Sequence, residues 1–208
     1  MLKLGVLVSG RGSNLQALLD ARARGELKAE VAVVISDKAG ALALERARAA
    51  GVPAYHVDPR AYPDKAAYEQ EICRLLKENG VELVVLAGYL RLVGPVLLAA
   101  YPERIINIHP SLLPAFPGLE AQRQAWEYGV KISGCTVHFV DEGLDSGPII
   151  LQAAVPVEEG DTAAELAARI LAEEHKLLPR TVNLIAEGRV KIVGRRVQIE
   201  LQDRKEAF

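Results

Sequence analysis

Short apolar runs separated by segments of helical period are the feature that most constrains the fold of this chain. Four runs are apolar at nearly every position and have the length of strands: Leu4–Val8, Val31–Ile35, Leu83–Ala87 and Arg104–Ile108. Such runs are typical of strands that are buried on both faces, as in parallel sheets covered by helices. The alternation therefore predicts an α/β fold, an open, mostly parallel twisted sheet with helices on both faces.

The segments between the runs predict the helices of this fold. Apolar residues fall on one helical stripe in two places, at Leu15, Leu18 and Leu19 and at Tyr68, Ile72, Leu75 and Leu76. A long last helix is expected to begin after Asp161 or Thr162 as its N-cap and to end before Gly188, with a kink or division at Pro179.

The end of the chain predicts a small hairpin, in which Val190–Val193 and Val197–Leu201 flank Gly194. The 208 residues contain no internal repeat and no linker rich in Gly, Ser or Pro. We therefore expect a single domain, residues 1–208.

Composition excludes several classes of protein. The 25 Lys and Arg against 27 Asp and Glu give a net charge of −2, without the basic excess that general nucleic-acid binding needs. No apolar run approaches the roughly 20 residues of a membrane span, and the first ten residues do not form a secretory leader. We expect a cytoplasmic protein with neither nucleic acid nor membrane as partner.

Cysteine and histidine spacing predicts no metal. Cys73 and Cys135 stand in no CxxC or CxxH pattern and are expected to be buried, reduced thiols. The HxxxH, HExxH and Asp-rich patterns of metal sites are also missing from the sequence. Three histidines, His56, His138 and His175, are expected at a strand end, within a strand and on the surface of the last helix.

The segment Ser9–Asn14, with the sequence SGRGSN, lies between a predicted strand and a predicted helix. Glycines allow a close approach of the backbone to a ligand, and a helix N-terminus attracts anions. The pattern is neither a full dinucleotide fingerprint nor a Walker A loop. It indicates either a phosphate site or a tight turn that binds nothing.

Asn107 and His109 lie at the exit of the fourth predicted strand. Residues two apart on a strand share a face, so the amide and the imidazole can converge on one small group and stabilise a developing oxyanion. The alternative is that Asn107 is a capping residue and His109 has only a structural role. In the acidic turn Asp141–Pro148, the Asp145 carboxylate is a candidate to fold over His109 and raise the pKa of its imidazole. Acids in such turns are more commonly solvated or capping residues.

Five segments together carry a resemblance to a known family: Ser9–Ala17, Leu86–Arg91, Asn107–Pro114, Gly134–Val140 and Asp145–Pro148. The chain resembles the folate-dependent formyltransferases from about residue 2 to residue 193. The Asn107–Pro114 motif is common to the whole family. Gly12–Gln16 is similar to the branch that acts on glycinamide ribonucleotide, the phosphoribosylglycinamide formyltransferases of purine biosynthesis.

The resemblance implies a reaction and a set of site residues. Formyl would pass from 10-formyltetrahydrofolate, a co-substrate, to the substrate amine through an oxyanionic tetrahedral intermediate, with no metal. Asn107, His109 and Asp145 would be catalytic. The N-terminal half, about residues 1–100, would hold the substrate phosphate, and the C-terminal half, about 101–208, the folate and the reacting groups; the substrate would be bound by Gly12, Ser13, Asn14 and Glu174, and the folate by Lys65, Leu90, Arg91, Leu92, Val93, Val140 and Asp141.

Two positions depart from the family pattern. Gln122 stands where relatives commonly have His, and Lys65 stands where many have Arg. The chain is expected to be a monomer or a homodimer with small-molecule partners. Two other functions remain open from the sequence: formyl transfer to a different amine, such as an amino-sugar nucleotide, and a nucleotide-binding module without turnover.

Overall fold

A mostly parallel sheet is the framework of the molecule. The computed structural model describes residues 1–200, and the strands of its main sheet are β1 (Leu2–Val8), β2 (Ala29–Ser36), β3 (Ala54–His56), β4 (Leu83–Leu86), β5 (Ile105–His109), β6 (Ile132–Phe139) and β7 (Ile149–Pro156). Their order across the sheet is β3-β2-β1-β4-β5-β6-β7. The first five strands pair in parallel, whereas β6 and β7 are antiparallel to their neighbours. The predicted fold class is confirmed.

Helices cover both faces of the sheet, as the apolar strands require. They are α1 (Ser13–Ala23), α2 (Leu42–Ala49), α3 (Lys65–Glu78), α4 (Pro95–Ala100), α5 (Ala121–Tyr128) and α6 (Ala163–Ala186), with a 3₁₀ turn at Pro59–Ala61. Helices α1, α2 and α6 pack into a core on one face, and α3 and α4 pack into a second core on the other. Each predicted helical stripe faces one of these cores; Leu15 and Leu18 are buried, while Leu19 is half-buried.

The last helix begins at the predicted place but is not divided. Thr162 is the N-cap, and its side chain and that of Glu165 form a reciprocal capping box. The expectation of a kink or division at Pro179 is wrong in its stronger form, because α6 continues as one helix from Ala163 to Ala186. Packing of its apolar face against the sheet outweighs the loss of one backbone hydrogen bond at the proline.

A hairpin follows α6. Its strands are β8 (Val190–Val193) and β9 (Arg196–Ile199), which pair antiparallel around Gly194. Leu201, the predicted end of the second strand, lies outside the described residues.

The order in which strands are added to the sheet reverses between β1 and β4, and the site lies at this point. From β1 the chain proceeds outward to β2 and β3, and from β4 it proceeds the other way to β5. The Ser9 N–H donates to the Gly88 carbonyl at 3.0 Å, and the Leu90 N–H donates to Ser9 Oγ at 3.0 Å. The segments that follow β1 and β4 are thus joined at the switch point, where open α/β sheets bind ligands.

Candidate active site

The segment after β1 presents the N-terminus of α1 with its backbone donors available. Gly12 is the N-cap, and its φ of +73° is one that glycine adopts without strain. Because no side chain among residues 1–200 caps this helix, the N–H groups of its first turn are available to bind an anion. A Cβ on Gly12 would lie 2.6 Å from Ala43 Cβ. Contact with α2 is therefore a second reason for glycine here, one that the sequence did not reveal.

Asn14 and Glu174 form a buried pair next to this segment. Asn14 Nδ2 donates to Glu174 Oε2 at 2.8 Å, although the two residues are 160 positions apart. Burial raises the pKa of the Glu174 carboxyl, and the Asn14 hydrogen bond opposes that rise. Asn14 Oδ1 is buried and has no hydrogen-bond partner among residues 1–200. A ligand hydroxyl or N–H group placed here would satisfy this oxygen.

Glu174 is buried, although it is next to His175, for which a surface position was expected. Glu174 is only 5% exposed, because it faces α1 across the core on that side of the sheet. His175 is half-buried, and its Nε2 has no partner among the described residues. The resemblance identified Glu174 where helical periodicity alone did not.

Asn107 is oriented by a histidine on the neighbouring strand. In the antiparallel register of β5 and β6, Asn107 lies opposite His138. The His138 Nδ1–H donates to the Phe139 carbonyl at 2.8 Å, and burial lowers the pKa of this imidazole. The neutral ring therefore keeps a lone pair on Nε2, which accepts from Asn107 Nδ2 at 3.3 Å. This bond fixes which end of the Asn107 amide faces His138.

His109 lies between a carbonyl and a carboxylate. Its Nε2–H donates to the Phe116 carbonyl at 2.8 Å, and its Nδ1 is 3.5 Å from Asp145 Oδ2. A ring with hydrogen on both nitrogens suits both neighbours, since neither of them can donate. Asp145 also accepts from the Gly118 N–H at 2.7 Å. The structure thus brings the acidic turn over β5, which is one of the two arrangements that the sequence left open.

The acidic turn is held in a defined shape around Asp145. Asp145 has a φ of +49°, a left-handed conformation that Asp tolerates better than most residues. Asp141 braces the turn by accepting from the Gly143 N–H at 3.0 Å and from Ser146 Oγ at 2.6 Å. Asp145 Oδ1 lies 3.9 Å from His138 Nε2, so one carboxylate contacts both histidines.

A small cavity of about 40 Å³ lies between the polar side chains of β5, β6 and the acidic turn and part of the expected folate site. Asn107, His138 and Asp145 line one side of it. The expected folate residues that share this cavity are Leu92, Val93, Val140 and Asp141. Apolar side chains thus meet the amide and the carboxylate in one cavity.

The other expected folate residues lie farther along the same segment. Leu90 is 64% exposed, and the Arg91 guanidinium lies 5.4 Å from the centre of the Tyr68 ring. Lys65 is the first residue of α3, and a Cβ on Gly94 would lie 2.8 Å from its Cε. Gln122 is half-buried in the first turn of α5.

The sequence interpretation underestimated His138. Thr136 and His138 are polar and two apart on β6, as are Asn107 and His109 on β5. The register pairs His109 with Thr136 and Asn107 with His138. Two matching polar alternations on neighbouring strands were the signal that could have placed His138 in the site.

Two expected absences and the thiols can be compared with the structure. Cys73 and Cys135 are free and buried, as predicted, and burial raises the pKa of the Cys135 thiol to about 12. Within residues 1–200, no cluster of three or more His, Cys, Asp or Glu side chains is placed to hold a metal ion. No helix in this part of the chain has both the length and the apolar character that a membrane crossing requires.

The fold and the site together define a formyl transferase, and the chain belongs to that family. The family model described as "Formyl transferase" matches residues 2–182.

Two similar proteins are enzymes of one kind. Phosphoribosylglycinamide formyltransferase of Bacillus subtilis (strain 168) is 47% identical over 182 residues, which cover 88% of this chain and 93% of that protein. The crystal structure of glycinamide ribonucleotide transformylase 1 from Symbiobacterium toebii superposes with a TM-score of 0.94 at 62% identity, covering 96% of this chain and 94% of that one.

A longer relative contains the same region as one part. The trifunctional purine biosynthetic protein adenosine-3 of Drosophila pseudoobscura pseudoobscura is 48% identical over 195 residues. That match covers 92% of this chain but only 14% of the longer protein.

Proposed function

We propose that this chain transfers the formyl group of 10-formyltetrahydrofolate to the amine of 5-phosphoribosylglycinamide, a step of purine biosynthesis. The observation that carries the proposal is the placing of two different sites at one edge of the sheet. The anion site with Asn14 and Glu174 follows β1, and the His109–Asp145 pair lies at the end of β5. The names of the relatives above support this choice of substrate.

The substrate phosphate would bind the free N–H groups at the start of α1, at Gly12, Ser13 and Asn14. The ribose hydroxyls would then meet Glu174 and the unpartnered Asn14 Oδ1. In this position the substrate would extend from the start of α1 toward the switch point. There its amine would approach the segment after β4 and the catalytic side chains on β5.

The folate would occupy the segment after β4 and the acidic turn. The apolar side chains of Leu92, Val93 and Val140 would cover the pterin ring, and Leu90 and Arg91 would flank it. Lys65 would meet the glutamate tail as a point charge. Ligand sites usually measure about 300–1,000 Å³, so the cavity of about 40 Å³ must widen to admit the ring. The exposed side of that cavity, around Gly143, is where it would open.

The chemistry needs no covalent enzyme intermediate. The lone pair of the substrate amine attacks the formyl carbon, and the carbonyl oxygen becomes an oxyanion. Asn107 and protonated His109 donate hydrogen bonds to that oxygen, each typically contributing about 2.7–4 kcal/mol. The bond between the formyl carbon and the folate nitrogen then breaks, and the proton lost by the amine passes through a water near Asp145 to that nitrogen.

One step requires a change of partner at His109. Its Nε2–H donates to the Phe116 carbonyl, whereas the reaction needs that hydrogen for the formyl oxygen. Catalytic hydrogen bonds commonly assume their final geometry only with substrate present. The Asp145 carboxylate, near Nδ1 of the same ring, can stabilise the positive charge of the imidazolium during the exchange.

The experiment supplies 10-formyltetrahydrofolate to the purified protein with glycinamide ribonucleotide as acceptor and, separately, with an amino-sugar nucleotide. Release of tetrahydrofolate with the first acceptor alone is the expected result. Release with only the second acceptor would assign a different formyltransferase activity. Formyl-folate loss no greater than in a control without acceptor would reject the proposal.

A further inference from the structure

Helix α2 contacts the segment Ser9–Asn14, which would bind the substrate phosphate. The Ala43 N–H donates to the Gly10 carbonyl at 3.2 Å. Because a side chain on Gly12 would collide with both Cα and Cβ of Ala43, the helix and the segment are in close contact. A side chain on the same face of the next turn of α2 can therefore reach the start of α1.

That group is the half-buried Arg46. Its Nε donates to the Arg11 carbonyl at 2.9 Å, and its Nη1 donates to Gln16 Oε1 at 3.1 Å. Gln16 is itself oriented, since its amide nitrogen donates to Asp20 Oδ1 at 2.8 Å. The guanidinium thus binds the chain on both sides of the free N–H groups at the helix start.

The charge of Arg46 is not neutralised by a neighbouring carboxylate. Both of its hydrogen-bond acceptors are neutral oxygens, and within residues 1–200 it forms no ion pair. It lines a cavity of about 480 Å³ together with Ser13, the carboxylate Asp20 and two other cations, Arg24 and Lys176. Those two other cations are paired, Arg24 with Glu26 and Lys176 with Glu173. Arg46 therefore places a positive charge next to the helix N-terminus without an ion-pair partner among residues 1–200, since Asp20 accepts from the Gln16 amide instead.

We propose that Arg46 is a specificity-determining residue for the 5′-phosphate of the substrate. It fixes the segment Arg11–Gln16 in the conformation that directs the N–H groups at the phosphate, and its charge adds to their attraction. The inference rests on the proposed function, because it assigns the phosphate to this helix start. It predicts that Arg46 acts on substrates that carry the phosphate and not on those that lack it.

The test compares two acceptors, glycinamide ribonucleotide and the corresponding 5′-hydroxyl ribonucleoside, in the full-length enzyme. Loss of a charged hydrogen-bonding group typically changes affinity by about 10- to 100-fold. For Arg46→Met we expect kcat/KM of the ribonucleotide to fall by that factor, mainly through KM. For the ribonucleoside kcat/KM should stay within about 2-fold of the parent, since no phosphate is present to respond to the charge.

Two further variants separate the charge from the shape of the segment. Arg46→Lys keeps the charge but not the two-sided hydrogen bonding, so it should recover part of the ribonucleotide KM. Arg48→Met removes an exposed arginine from the same helix and should leave both acceptors unchanged.

Two results would overturn the inference: equal losses on both acceptors, which mean that Arg46 only maintains the fold, and no loss on either. Both are distinct from failure of the proposed function, in which the parent enzyme itself would not formylate glycinamide ribonucleotide.

Discussion

His109 Nδ1 lies 3.5 Å from Asp145 Oδ2, and the side chains of both residues are largely buried. The same carboxylate oxygen accepts from the Gly118 N–H at 2.7 Å, so it cannot turn away from the imidazole without losing that bond. The two residues come from a strand and from a turn 36 positions later in the chain. Their pairing is the electrostatic centre of the site.

Replacing Asp145 by Asn should reduce the rate strongly without unfolding the protein. The amide can still accept from the Gly118 N–H, but it carries no charge to stabilise an imidazolium at His109. General acid–base assistance typically contributes about 10²- to 10⁴-fold. We expect kcat to fall by a factor in that range, measured by release of tetrahydrofolate, with an unchanged circular dichroism spectrum.

Glu142 provides the matched control for this charge change. It lies in the same turn and is exposed, so Glu142→Gln should leave kcat and its pH dependence as in the parent. An Asp145→Asn enzyme with nearly normal kcat and an unaltered pH profile would show that Asp145 does not act on His109.

Asn107 and His138 should behave as one unit. Asn107→Ala removes a donor to the oxyanion and should lower kcat by about 10²- to 10³-fold. His138→Phe keeps the volume but removes the acceptor that orients the Asn107 amide. Because one neutral hydrogen bond contributes about 0.5–1.5 kcal/mol, we expect kcat to fall by roughly 3- to 10-fold with little change in KM.

A double-mutant cycle on kcat checks whether His138 acts through Asn107. In an Asn107→Ala background, His138→Phe should have no further effect. His138→Gln, which offers a carbonyl acceptor, should recover part of the lost rate. Independent, additive losses would contradict a positioning role and would assign His138 an action of its own.

The pattern of apolar residues predicted the layers of the fold because burial is a local requirement of each element. A strand that is apolar throughout, such as Leu83–Leu86, must be covered on both faces. The capping box at Thr162 is also encoded within four residues. Elements with weaker local signals were predicted less well: β3, with three residues, was indicated only by the strand end expected at His56, and α4, with six residues, was missed.

The site was predicted only as far as neighbours in sequence or a known family could indicate it. Asn107 and His109 are two residues apart, so their common face follows from strand geometry. The pairing of Asn107 with His138 depends on the register of an antiparallel strand, and that of Asn14 with Glu174 on a contact between α1 and α6. Such long-range contacts leave no periodic signal in the sequence, which is also why Arg46 was not identified.

Glu69 should contribute to stability through the start of α4. Its buried carboxylate accepts from the backbone N–H groups of Gly94 and Leu97. Glu69→Ala leaves both donors without an acceptor, which typically costs about 1–3 kcal/mol. We expect the free energy of unfolding, from urea denaturation, to fall by that amount.

Helix α3, which carries Glu69, also has an exposed glutamate for comparison. Glu78 pairs with Arg74 at the surface, and such pairs contribute about 0.3–0.5 kcal/mol on a helix. Glu78→Ala should therefore cost much less than Glu69→Ala. Equal costs for the two variants would mean that the Gly94 and Leu97 donors find other acceptors, such as water.

Ionisation of the buried Glu174 should lower the free energy of unfolding as pH rises. Burial raises the pKa of its carboxyl in the folded protein, whereas in the unfolded chain it ionises near the ordinary value of about 4.3. Between these two pKa values the folded state holds the proton more tightly, so stability is fully present below the unfolded value and is lost as pH rises through the folded one. Glu174→Gln cannot ionise and keeps an acceptor for Asn14.

The variant should therefore be more stable than the parent at neutral pH and equal to it at low pH, as measured by urea denaturation across pH 4 to 8. Its KM for the ribonucleotide should rise by about 10-fold, because a neutral acceptor binds hydroxyls more weakly than a carboxylate. Glu173→Gln, next to it on the outer side of α6 beside Lys176, should show neither effect. Parallel stability curves for Glu174→Gln and the parent would mean that Glu174 ionises equally in the folded and unfolded states.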